Sequence, residues 1–142
     1  MSSNLDLVRS IYVDWERGDF RAADWANPDI ELVIVGGPTD GSWRGLAAMA
    51  GTMREFLAAW KGYRVEPAEY RELDEERILV LTRDSGRGRA SDVSTEQTRA
   101  HLFHLRDGKV TRLATYWSPE RALTDLGLTS ESAGPDADGE WR

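Results

Sequence analysis

Ala100-His101-Leu102-Phe103-His104-Leu105-Arg106-Asp107-Gly108-Lys109-Val110-Thr111-Arg112-Leu113-Ala114-Thr115-Tyr116-Trp117 is the stretch on which the fold turns. Apolar residues alternate with others, the pattern breaks at Asp107-Gly108, and the alternation resumes, which is the strongest short-range signal for a β-hairpin. Ser118-Pro119-Glu120 then stops the second strand and opens a helix, with Ser118 as cap and Pro119 at the first helical position. Two registers are open. If Gly108 is the left-handed bulge residue after a type I turn, Phe103 pairs with Leu113 and His101 with Thr115. Arg99, His101, Phe103, Leu105, Leu113, Thr115 and Trp117 then share one inward face. A two-residue turn instead pairs His101 with Ala114 and sends Trp117 to the other face. The first register buries more apolar area beside His101 and is favoured.

Upstream, Leu5, Val8, Ile11, Tyr12 and Trp15 recur at helical spacing, so a helix is expected from about Leu5 to Arg17, capped by Ser3 or Asn4 and stopped by Gly18. A second, short helix is expected from Asp19 to Trp25, with Phe20 and Trp25 inward, ending at Asn27-Pro28-Asp29. Ile30–Val35 reads as a strand covered on both faces, Gly36–Ser42 as a loop, and Leu46–Trp60 as a third helix with a Met and aromatic stripe. Tyr63–Leu73, Arg77–Arg83, Thr95–Leu105 and Val110–Trp117 read as strands, and Ser85–Asp92 as a glycine-rich connection. Helices followed by consecutive strands with short links indicate an α+β fold with a mainly antiparallel sheet. Such a sheet, strongly bent, wraps around about three N-terminal helices as a cone and leaves a space for a small ligand. A short C-terminal helix closes the domain near residue 128, and the small, acidic, turn-rich residues 129–142 read as a disordered tail.

Composition narrows the function. The 142 residues are 40% apolar and 30% charged, with a net charge of −7. Four acids against one arginine place −3 of that charge in the tail, so the body carries no basic footprint for nucleic acid. No apolar run approaches the length of a membrane span, and no charged-then-apolar leader is present, so a cytoplasmic protein without membrane partners is expected. The absence of cysteine removes thiolate chemistry and cysteine metal sites. Six tryptophans supply apolar surface suited equally to a core or a pocket wall.

The chain resembles the nuclear transport factor 2-like superfamily, in particular its SnoaL-like and ketosteroid-isomerase-like members. The residues that carry the likeness are Trp15-Glu16-Arg17-Gly18-Asp19-Phe20, Asn27-Pro28-Asp29, Trp43-Arg44-Gly45, His101 through Val110, and Tyr116-Trp117-Ser118. It covers roughly residues 5–128. It implies a cone-shaped fold, no cofactor, and a homodimer formed through the outer face of the sheet. It also implies a pocket for a small hydrophobic, carbonyl-bearing molecule, serving isomerase, cyclase or dehydratase chemistry or ligand binding alone. Against the isomerase pattern, His101 stands where a protonated acid donates to the oxyanion, and Trp117 stands at a pocket aromatic. No carboxylate stands near Gly36, where the general base belongs. Ile11 occupies the position of the oxyanion tyrosine, with Tyr12 one residue off its face, and Met53 takes the place of a second tyrosine. Epoxide-hydrolase members set an arginine between two aspartates on neighbouring strands; Arg83-Asp84 matches one such pair only.

Candidate site residues follow. His101 is the residue suited to proton transfer or donation to a ligand, or it is a core histidine satisfied by a neighbour such as Thr115. Asp40 is a displaced general base or a turn former. Tyr12, Trp15, Trp43, Met53, Phe103, Thr115 and Trp117 are candidate ligand contacts. Arg83 and Arg99 would bind a carboxylate or enolate if they point inward. His104 lies on the opposite face, so the two histidines form no metal site.

Overall fold

Val8, Ile11, Tyr12 and Trp15 form one buried stripe, and the helix they define, α1, runs Ser3–Glu16. Gly18, at φ +82°, turns the chain away from it, its N–H bonded to the Trp15 carbonyl at 2.9 Å. Asn4 does not cap the helix; its amide donates to the Glu75 carbonyl and ties α1 to the turn between two later strands. The computed structural model describes residues 3–19, 24–37 and 40–128. Most of the expected second helix, and the expected tail beyond residue 128, lie outside the described residues.

Strand β1 spans Ala26–Val35 and begins four residues earlier than the sequence suggests. Asn27-Pro28-Asp29 lies inside the strand, where pairing with its neighbour slips between Ala26 and Glu31. A proline lacks the N–H of a regular ladder and is tolerated at such an irregularity. Gly41–Arg44, expected partly as loop, is a short strand β2 that pairs antiparallel with β1. Helix α2 runs Leu46–Ala58, and Trp60 falls into the next strand instead of ending the helix. Arg89 explains the stop: its guanidinium donates to the Ala58 and Trp60 carbonyls at 3.1 and 3.0 Å.

Strands β3 (Trp60–Glu72), β4 (Arg77–Gly88), β5 (Ser94–Arg106) and β6 (Lys109–Tyr116) follow, and α3 (Pro119–Asp125) closes the domain. Ser118 caps α3, accepting from the Arg121 N–H at 3.3 Å, with Pro119 at its start. The six strands form one sheet in the order β2-β1-β6-β5-β4-β3, antiparallel except between β1 and β6. Register slips in β3 between Lys61 and Arg64 and between Pro67 and Glu69 bend its edge. Helix α1 packs on β3, and α2 on β1, β2 and β3. The result is the expected curved, mostly antiparallel α+β architecture.

The central hairpin has the favoured register, reached by a different route. Phe103 pairs with Leu113 and His101 with Thr115. Asp107 and Gly108 both take positive φ, 55° and 76°, as a two-residue hairpin turn requires. Arg106 pairs with Lys109 and Leu105 with Val110, but His104 pairs with Arg112. Thr111 is therefore an extra residue, a bulge that shifts β6 by one position. Its hydroxyl donates to the His104 carbonyl at 3.2 Å.

The sheet is buried on both faces. Ile78, Val80, Phe103 and Leu105 join α1 in the inner core. Leu79, Leu81, Ala100, Leu102, Ala114 and Tyr116 form an outer core with Ala122 and Leu123 of α3.

Candidate functional site

Between the inner face of the sheet and α2 lies a cavity open at its mouth. Met53, Phe56 and Leu57 of α2 form one wall, and Leu32, Ile34, Val65 and Leu113 of the strands form the other. Its polar side consists chiefly of Tyr63, Asp84, Arg99, His101 and Thr115.

His101 is 6% exposed, and its Nδ1 lies 2.6 Å from the Tyr12 hydroxyl. The two rings stack 11° from parallel, and Trp15 meets the imidazole edge-on at 5.9 Å between centroids. Burial pushes the His101 pKa down to about 4; the negative Asp84 opposes that shift and the positive Arg99 adds to it. Burial, with Asp84 second, likewise raises Tyr12 well above the usual phenol range, so its proton stays on. Among the described hydrogen bonds Tyr12 has no other acceptor, and we therefore assign its hydroxyl as the donor to Nδ1, which leaves the proton of the neutral ring on Nε2. The site thus presents an N–H donor to the cavity.

Beside it stands a second buried cluster. Asp84 is 4% exposed and Arg99 7%. Asp84 Oδ1 accepts from Thr82 at 2.8 Å, and Oδ2 accepts from the Tyr63 hydroxyl and lies 3.4 Å from Arg99 Nε. Burial, then the Asp84 charge, holds Tyr63 protonated. Arg99 also donates to Gln97 at 2.7 Å, and its guanidinium lies over the Trp117 ring, 3.8 Å from the centroid. Gly37 backs that indole so closely that a Cβ there would fall 2.2 Å from the ring.

Of the sequence candidates, Trp15, Met53, Arg99, His101, Thr115 and Trp117 meet around the cavity. Tyr12, expected off the required face, points inward and supports His101 from behind. Phe103 is fully buried in the core next to the imidazole, with ring centroids 6.4 Å apart. Trp43 packs on the inner core without lining the cavity. Asp40 is exposed and accepts from the Gly36 N–H at 2.7 Å, which is turn chemistry and not the reach of a base. Arg83 is exposed and lies outside the cavity; its neighbour Asp84 takes the inward position.

Asp84 and Tyr63 are the site residues that the sequence reading missed. The signal was present in the register: Thr82 pairs with Arg99, which places Asp84 two residues along on the same inner face. Among the described residues no three His, Cys, Asp or Glu side chains converge as a metal site. No helix among them is long and apolar enough to cross a membrane.

The fold is shared widely among solved structures. TerC, crystallised with polyporic acid, superposes with a TM-score of 0.73 at 22% identity, over 88% of this chain and 98% of that one. An NTF2-like protein of Burkholderia pseudomallei K96243 gives 0.73 at 20% identity, over 87% and 97%. A protein of ketosteroid-isomerase-like fold from Catenulispora acidiphila DSM 44928, in complex with trimethylamine, gives 0.67 at 14% identity, over 89% and 95%. At such identities the likeness establishes the fold alone. No curated protein matches the chain significantly. Residues 8–113 match the family model of the SnoaL-like domain, and the chain accordingly belongs to the SnoaL-like domain family.

Proposed function

We propose that the cavity takes a small hydrophobic, carbonyl-bearing molecule and that the protein is a cofactor-independent enzyme of the isomerase, cyclase or dehydratase kind. The observation that carries this reading is the Tyr12–His101 bond, which supports a neutral imidazole with its Nε2–H as the donor. A neutral donor in a water-poor site polarises a carbonyl without surrendering a proton, and stabilises the enolate that forms when the α-carbon loses one. The carboxylate of the same cavity is Asp84, and the α-proton would pass to it once the substrate displaces the Tyr63 or Thr82 hydroxyl.

The occupied state of Asp84 favours a second reading, a ligand-binding module without catalysis. Exchange of α-protons separates the two. β-Tetralone in D₂O is followed by proton NMR with wild type, His101→Phe and Asp84→Asn. The enzyme reading expects deuteration above the buffer rate with wild type and its loss in both variants. Tryptophan quenching without exchange would leave the binding module. Polyporic acid, the ligand crystallised with TerC, is the first compound to add to such a panel.

The outer face, through which the family resemblance implies a dimer, also carries α3. A homodimer through that face would include α3 in its contact, and light scattering at micromolar concentration tests whether the chain dimerises.

A further inference from the structure

The polar atoms around the cavity are unevenly committed. Asp84 is the buried carboxylate, and both its oxygens are taken: Oδ1 by Thr82, Oδ2 by Tyr63 and the flank of Arg99. The Thr115 hydroxyl is turned to the Val33 carbonyl at 3.5 Å. Arg99 is the reverse case. Among the described residues it donates to Gln97 and stands within hydrogen-bond reach of the Tyr63 hydroxyl, while its Nε, 3.4 Å from Asp84, makes no hydrogen bond and its face rests on Trp117. A guanidinium carries five N–H donors in a rigid fork, so most of them remain for another partner. His101 adds the Nε2–H two residues along the same strand and face, a backbone rise of about 6.6 Å. The uncommitted side of this cavity therefore consists of donors, and the larger share belongs to a cation more than nine-tenths buried.

We propose that Arg99 is an anion subsite, and that the ligand carries an ionised oxygen (an enolate or carboxylate) held by Arg99 while its carbonyl oxygen takes the His101 N–H. This rests on the carbonyl-pocket reading above and names its substrate class as acidic aryl carbonyl compounds. Trp117 supplies the flat surface beside Arg99, and Met53 and Phe56 face it from α2.

The test compares ionised probes with neutral partners built on the same aryl frame, by tryptophan quenching at pH 7.5. The pairs are 2-naphthoate against methyl 2-naphthoate, and 2-phenylindane-1,3-dione, an acidic enol, against its 2-methyl derivative, which cannot ionise. At least one ionised probe is expected to bind tenfold or more tighter than its neutral partner, and the pair showing the gap tells carboxylate from enolate. In Arg99→Met/Asp84→Asn, which removes both charges together, the gap should close. Arg99→Lys, which keeps the charge and loses the fork, should retain part of it. Neutral probes that bind as well as the ionised ones would overturn the anion subsite and leave the carbonyl pocket standing. So would a gap that persists without Arg99. If no probe of either kind binds, the carbonyl pocket itself falls, and this inference with it.

Discussion

His101 is held neutral by its surroundings, and that has a measurable thermodynamic consequence. Its pKa in the fold is about 4 against 6.5 when exposed. As the pH falls below 6.5 the unfolded chain takes up a proton that the folded chain refuses until about pH 4. Through that window the unfolded state binds more protons, so stability falls with falling pH, by roughly 3 kcal/mol at most. Above pH 6.5 this contribution is constant. His104, lowered by burial and then by Arg112 and Arg77, acts in the same direction. Urea unfolding between pH 7 and 4 should show a shallower pH slope for His101→Phe than for wild type; equal slopes would mean that His101 charges freely in the fold. The Asp84–Arg99 pair makes a different prediction. Arg99→Met leaves a buried carboxylate without its cation and should cost about 3–5 kcal/mol, whereas Arg99→Met/Asp84→Asn should recover most of it. A double variant as unstable as the single one would show that the pair's stability does not come from charge. At this scale the sequence disclosed His101 and Arg99 but chose Arg83 over Asp84. The reason is physical: Arg77–Arg83 sends Ile78 and Val80 into the inner core and Leu79 and Leu81 into the outer one, so it is apolar on both faces and gives no alternation to set the phase.

At the scale of elements, the hairpin was legible and its construction was not. The alternation and Asp107-Gly108 announced two strands and a turn, and burial selected the pairing of His101 with Thr115. What no pattern revealed was that Thr111 bulges out, because a polar residue after Val110 fits the alternation of either register. The turn can be tested at Asp107, a non-glycine residue at φ 55°. Asn tolerates that conformation better than most side chains and Ala does not, so Asp107→Ala should cost about 1 kcal/mol and Asp107→Asn should be neutral or slightly stabilising. Thermal melts of the two variants decide it, and equal losses would point to a side-chain contact instead of backbone strain. The loop after β1 bears on the site more directly. Gly37 is at φ +80° against the Trp117 indole, so Gly37→Ala must both strain the backbone and push the ring off Arg99. Weaker quenching by the ionised probes is expected, together with a shift in tryptophan emission. Unchanged emission would mean that the loop yields and the ring does not. Asn27-Pro28-Asp29 and Gly41–Arg44 misled for a related reason: irregular or short edge pairings carry turn residues, and a turn residue in a sequence does not say that the chain beside it is unpaired.

For the molecule as a whole, the decisive arrangement is a sheet that must be covered twice. Its inner face is closed by α1 and α2, except where the cavity is left open. Its outer face carries Leu79, Leu81, Leu102, Ala114 and Tyr116, which share a core with Ala122 and Leu123 of a seven-residue helix packed on β5 and β6. A helix this short is not stable alone in water; its cap and its packing keep it in place. Leu123, 4% exposed, is with Ala122 the part of α3 that joins the outer core. Leu123→Asp removes that contact and sets a charge against apolar surface, a loss of at least about 3 kcal/mol. Because the strand residues beneath would then be bared as one apolar patch, self-association should accompany the loss of stability. The cavity lies on the opposite face and shares no residue with α3, so whatever fraction stays folded should bind the probes with wild-type affinity. Light scattering and probe titration on the same sample separate the two effects. A Leu123→Asp protein that remains monodisperse and fully stable would show that α3 does not hold the outer core, whereas one that loses probe affinity while still folded would show that the two faces of the sheet are coupled.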